Sequence, residues 1–367
     1  MHRIFLFLLP VLLLVACDPN GSNQPKVDDF DRQAMLVNWA DNLIIPAFDN
    51  LANATAELEI AAQSFAQNPT QIELRDLRDS WQWAYHQWQQ ASIYEIGKAE
   101  ELRLRDNLNI YPVNVDELTQ NISSGTYNLL LPSQIDRQGF PALDYLLYGV
   151  GSSEAEILAT YNTDALATNY RQYVVDLATR INDLVQEVHG DWKNGYRNTF
   201  VENKGSNANA SVDMLVNDFL FFYEKHLRAG KVGIPAGVFS GAPIAENVEA
   251  YYRRDMSRDL LLNALDAAQN FFNGDALTTS GPGLKAYLDY LSSEKEGISL
   301  SSKINDQFAN SITAIQALKP DFVAQLDESE VPMLAAYDQL QLNVVLLKVD
   351  MLQALNINVD YVDADGD

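Results

Sequence analysis

The sequence predicts an all-α protein built from two packed helical bundles. Three observations lead there. Apolar residues recur at spacings of three and four in four separate stretches, which is the period of a helix buried along one face. Period-two alternation of β-branched residues is scarce; the best candidate for extended chain, residues 109–115, contains Pro112. Capping and breaking residues sit at the ends of the periodic stretches, where helices start and stop. The first stripe carries Leu74, Leu77, Trp81, Tyr85, Trp88 and Ser92, opened by the capping-box pair Thr70 and Glu73. A second starts near Ser211, carries Leu215, Phe219, Phe222 and Leu227, and is expected to end at Gly230. Ile304, Phe308, Ile312, Ile315 and Leu318 form a third, stopped by Pro320. The last runs from Leu334 through Tyr337, Leu340, Val344 and Leu347 to Met351, with Ser329 and Pro332 as start signals. Of the aromatic group Trp81, Trp83, Tyr85 and Trp88, three fall on the apolar stripe, so core packing explains them better than a cofactor box.

The amino terminus reads as an export signal. His2 and Arg3 precede an apolar run from Ile4 to Val15, then Ala16 and Cys17. That run is too short to span a bilayer, which needs about 20 residues, and its layout is that of a secretory signal. Leu14-Val15-Ala16-Cys17 resembles a bacterial lipobox. The resemblance implies lipidation of Cys17, cleavage just before it, and a cell-envelope protein held to a membrane outside the cytoplasm. Cys17 is the single cysteine, so neither an intramolecular disulfide nor a cysteine nucleophile is available. Residues 1–16 are thus read as signal and 17–29 as a flexible tether. About 350 residues remain, more than one typical core. The Gly- and Asn-rich stretch 191–210 is the expected linker between an N-terminal bundle, 30–190, and a C-terminal bundle, 211–367. The formal charge of −25 repels nucleic acid, so none is expected as a partner.

Two segments stand out chemically. In Gly139–Gly149, Pro141 suits the first helical position and Asp144 would fall in the first turn, where a carboxylate complements the helix dipole and its pKa is expected to be lowered. Asp144 admits two readings: a dipole-complementing residue on a short helix, or a carboxylate aimed into a cleft between the bundles, with Tyr145 beside it. In Tyr223–Gly241, Glu224, His226, Arg228 and Lys231 cluster before a loop with four glycines and a proline. Basic residues at a helix end or a shaped site loop both fit that pattern. The tail residues Asp363, Asp365 and Asp367 imitate a calcium loop, but the glycine is misplaced and no closing glutamate follows, so a frayed acidic end is expected. No H-E-x-x-H, G-x-S-x-G or Walker motif occurs.

These two segments, with the closing run Leu346–Met351 and Tyr361-Val362-Asp363, resemble the imelysin family across nearly the whole chain from about residue 30. The resemblance implies two helical bundles, a site where they meet, and a role tied to iron uptake. It points to an iron or haem-type ligand, and to iron or another divalent metal as the cofactor. The family hallmark is G-x-H-x-x-E. Here Gly139 matches, Pro141 replaces the histidine and Asp144 replaces the glutamate, so the metal site and any peptidase activity lose an imidazole. The expected ligand-binding set is Gly139, Asp144, Tyr145, Glu224, His226, Arg228 and Lys231, with Asp144 as the metal-ligand candidate. An envelope binding lipoprotein is the leading reading. A family metallopeptidase and a surface adhesion or scaffold module are the alternatives.

Cys17→Ser is expected to move the protein from the envelope pellet to the soluble fraction, because so acidic a chain has no other evident attachment to anionic lipid. Fractionation and immunoblotting check this; a variant that stays wholly in the pellet contradicts the lipobox reading.

Overall fold

The computed structural model describes residues 28–276, 279–292 and 299–361. The signal, Cys17, most of the tether and the acidic tail beyond Tyr361 lie outside the described residues.

Helices α1 (Ile45–Gln67) and α2 (Gln71–Ala91) meet at a short corner. Thr70 Oγ1 accepts the Glu73 amide there at 3.3 Å, as the capping pair predicts. Helix α1 packs most extensively on α2 and on α3 (Ala167–Asp191). The longer α-helices after it are α4 (Ser211–Phe221), α5 (Ser257–Asn273), α6 (Leu300–Gln316) and α7 (Val331–Val344). Helix α6 packs on α7, and α5 packs on both α6 and α2. Among the described residues there is no strand; an isolated bridge joins Asp275 to Ser280. None of the described helices is long and apolar enough to cross a membrane. The all-α expectation holds.

The stripes are buried nearly as read. Leu74, Leu77, Trp81, Tyr85 and Trp88 are all inside, whereas Trp83, off the stripe, is 52% exposed. Phe140 locks this face: its ring stacks on Tyr85 at 4.7 Å, and its carbonyl accepts the Trp81 indole N–H at 3.2 Å. Several helices widen into π turns, at Trp39–Ile44, Tyr145–Gly149, Phe222–Gly233 and Val345–Met351. The helix expected to stop at Gly230 therefore continues to Gly233 in π form. Such turns concentrate at functional sites because the extra residue re-aims side chains.

The described residues from Asp31 onward cluster as one unit. The stretch 191–210 is helical through Glu202 except for a kink at Gly195, whose backbone is non-helical. Its glycines and asparagines suggest a linker, but Trp192, Phe200 and Val201 are buried and pin it down, with Trp192 and Phe200 ring centroids 5.4 Å apart. Only 203–209 is non-helical and exposed throughout. Limited trypsin digestion is expected to cut first at Lys204, where exposed backbone can enter a protease. Mass spectrometry locates the cut; a first cut inside α1, α2 or α3 contradicts this.

Candidate functional site

Gly139 begins the helix Gly139–Asp144 with φ +76°, and a Cβ there would lie 2.3 Å from the Leu108 carbonyl oxygen. Only glycine fits this left-handed, close approach. Because the helix opens at Gly139 rather than at Pro141, Asp144 falls in the second turn, not the first. It is 2% exposed. Its two carboxylate oxygens accept the backbone amides of Tyr252, at 2.8 Å, and Arg253, at 2.9 Å. Burial pushes its pKa up to about 7, against the pull of those amides and of the Arg253 charge. The expected depression of its pKa is thus corrected: away from the first turn the dipole fades, and desolvation of the carboxylate wins. Arg253 itself lies over the Tyr148 ring, 5.5 Å from its centroid, with Arg78 at 4.5 Å. Tyr145 turns to Tyr252, edge to face at 5.2 Å.

Asp144 lines a cavity of about 440 Å³. Its walls include Pro112, Val115, Pro141, Val248, Tyr251 and Tyr252, with the exposed carboxylates Asp116 and Glu246 at the edge. A smaller cavity of about 130 Å³ adjoins it, and Tyr111 lines both. His226, Gly230 and Lys231 of the π segment line this second space, with Gln89, Arg105 and Asn109. So the two segments singled out in the sequence border neighbouring cavities that share one tyrosine.

The cations are already engaged. Lys231 donates to Gln89 Oε1 at 2.8 Å and to Glu249. Glu249 is 3% exposed and also accepts from Asn109, at 2.8 Å, and Gln89, at 3.2 Å. Burial lowers the Lys231 pKa, with Glu249 opposing. Burial also drives the His226 imidazole down to about 3, helped by Arg105 and Lys231, so the ring is neutral. Tyr111 is pushed well above the usual phenol range by burial and by Glu249.

Glu224 and Arg228 face elsewhere. Glu224 accepts from Lys348 at 3.0 Å and from the Tyr361 hydroxyl at 2.9 Å, and lies 3.5 Å from Arg228. Arg228 donates to the Tyr337 hydroxyl at 2.8 Å and to Gln341. They tie the closing run of the chain to the π segment and line neither cavity. Glu249 was not read from the sequence. It sits in a turn with no periodicity, and only the single buried lysine it would need to match could have pointed to it.

Among the described residues, no group of three His, Asp or Glu side chains is placed to hold a metal ion. Pro141 offers no ligand atom, and both Asp144 oxygens are taken by amides. The residues present do not fit a histidine-held metal at the hallmark position.

The family model for imelysin, also named peptidase M75, matches residues 44–348. The chain belongs to the imelysin family. A curated relative, iron-regulated protein A of Synechococcus elongatus, is 24% identical over 153 residues, 40% of this chain; the match spans 41% of that relative's length. Two solved structures share the imelysin fold. One is assigned as an iron-regulated protein A precursor from Parabacteroides distasonis, with TM-score 0.70 and 17% identity, covering 87% of this chain and 95% of that one. The other, an imelysin-like protein from Psychrobacter arcticum, has TM-score 0.68 and 17% identity, covering 90% and 97%.

The Lys231–Glu249 pair generates a stability prediction. Lys231→Met strands a buried carboxylate and is expected to cost about 3–5 kcal/mol in urea unfolding. The double variant Lys231→Met/Glu249→Gln should recover about half of that, because the uncompensated charge is gone. Strictly additive losses would show that the two groups do not act as a pair.

Proposed function

We propose that this imelysin-family chain is an envelope lipoprotein that binds an iron-containing organic ligand and is not a peptidase. The observation that carries the reading is the pair of cavities around Tyr111, bordered by both family segments and holding no assembled hydrolytic or metal-ligating set among the described residues. A volume of about 440 Å³ with apolar and aromatic walls and a few polar groups suits a compact ligand rather than a bare ion. Iron enters through the family and through the name of the relatives, which speaks of regulation by iron. Charge narrows the chemistry. Asp144, Asp116 and Glu246 line the larger cavity and no Lys or Arg does, so a neutral or cationic chelate fits better than an anionic one. A ferric trihydroxamate carrying an ammonium group meets that description, whereas haemin, with two carboxylates, meets it poorly.

Calorimetric titration of the purified protein with such a trihydroxamate tests the reading, with haemin alongside. Asp144 gains its charge as pH rises through about 7. Affinity for the cationic chelate is therefore expected to rise about ten-fold between about pH 6 and 8, and to become flat in Asp144→Asn. Tighter binding of haemin would reverse the charge argument, and binding of neither would remove the ligand class. Casein and insulin-chain digestion, with and without chelator, runs beside it. Chelator-sensitive cleavage would replace this reading with the metallopeptidase one.

A further inference from the structure

A cavity of about 650 Å³ lies away from the family hallmark. It is a groove between α2, α5 and the chain at 41–50. Helix α2 presents Trp83, His86, Gln87 and Gln90 to it, at i, i+3, i+4 and i+7. Helix α5 presents Asn263, Asp266, Ala267 and Asn270, at the same spacing. Two helix faces of matched period thus flank one trough, with Asn42 and Asn50 on the third side. Six amides line the groove with three carboxylates, Asp41, Asp266 and Asp275, and neither Lys nor Arg lines it among the described residues.

The amides are held in place. Gln90 donates to the Asn263 carbonyl at 2.9 Å across the two helices. The Asn263 amide lies 2.6 Å from His86 Nδ1, and Asn270 donates to Asp266 at 3.0 Å. Each amide spends a donor on the protein. The side-chain oxygens of Asn42, Gln90, Asn263 and Asn270 accept nothing from the described residues. With Nδ1 accepting, a neutral His86 carries its proton on Nε2, a further donor. Burial lowers the His86 pKa and favours that neutral form. Trp83 is 52% exposed, while Trp39, Trp81, Trp88 and Trp192 are buried.

We propose that this groove binds a neutral oligosaccharide, with Trp83 as the stacking platform and the amides of α2 and α5 as hydroxyl partners. A sugar ring has an apolar face of C–H groups and an edge of hydroxyls that both donate and accept. An exposed indole matches the face, and primary amides that keep a donor and an acceptor match the edge. A phosphate or other anionic ligand would find no cation, and a metal ion would find no set of three ligands. The groove volume lies within the roughly 300–1,000 Å³ of small-ligand clefts.

Four of the five tryptophans are buried, so acrylamide quenching of the native protein reports chiefly on Trp83. Chitotetraose, cellotetraose and maltotetraose, each at about 10 mM, serve as probes, with an anionic heparin tetrasaccharide for contrast. At least one neutral probe is expected to reduce the quenching, and Trp83→Phe to abolish that signal. By calorimetry Trp83→Ala should weaken the neutral probe about five-fold or more, and Asn263→Ala should weaken it too. Trp83 packs on the surface, so circular dichroism of the Trp83 variants should match the parent. Equal or tighter binding of the heparin fragment, no protection by any neutral probe, or affinity unchanged in Trp83→Ala would each overturn the proposal. Binding of chelate at the Asp144 cavity should be unaffected by Trp83→Ala, which separates this site from the other.

Discussion

The burial of Lys231 against Glu249 is the constraint on which the central region depends. An ammonium and a carboxylate inside a protein are tolerated only when each finds the other and the remaining hydrogen-bonding positions are filled. Here Gln89 brings α2 to the pair, Asn109 brings the segment before Tyr111, and Lys231 brings the π segment. Three stretches distant in sequence are thereby fixed around one charge pair. The cavities beside it keep their shape because their walls are the same residues or their neighbours. Tyr85 hydroxyl donating to Asn109 at 2.6 Å carries the constraint on into the aromatic core under Phe140.

A second buried charge system follows the same logic. Arg105, 4% exposed, meets Asp218 at 2.6 Å and Glu95 at 3.2 Å, and donates to the Ser92 carbonyl. Burial raises Glu95 to about 7 even with this cation beside it. In a chain with twice as many acids as bases, the few buried cations are each matched to carboxylates, and most of the remaining acids lie at the surface. Charge here sets which segments meet, rather than how soluble the interior is.

Much of the fold could be read from the sequence because its signals are local. Thr70 and Glu73 mark a helix start by a contact four residues wide, and the stripe from Leu74 to Trp88 marks a buried face without reference to anything else. The period even separates Trp83 from its buried neighbours. What escaped depends on distance in sequence. Trp192, Phe200 and Val201 anchor a stretch whose glycines suggest freedom. Asp144 was placed in a first turn because Pro141 is a good start signal; the left-handed Gly139, forced by the Leu108 carbonyl, starts the helix earlier. The partners of Lys231 and Asp144 come from 249 and 252–253, turns whose side chains have no periodic role.

The same distinction explains why the family's segments survive here without its histidine. Gly139 is held by a backbone approach that admits no Cβ, and Asp144 by two amides of the 252–253 turn; both demands are architectural. Glu224 and Arg228 fasten the closing run through Lys348, Tyr337 and Tyr361, which is also architectural. A residue kept by packing needs no metal to remain where it is, whereas a histidine at 141 would have only its ligand to justify a buried imidazole. Replacing it by proline leaves the first turn unharmed, because that position lacks an intrahelical amide bond in any case. The helix keeps its place, the carboxylate keeps its amides, and the cavity beside Tyr111 keeps a single buried acid whose charge depends on pH near neutrality. In the binding role proposed above, that charge is what favours a cationic ligand over an anionic one.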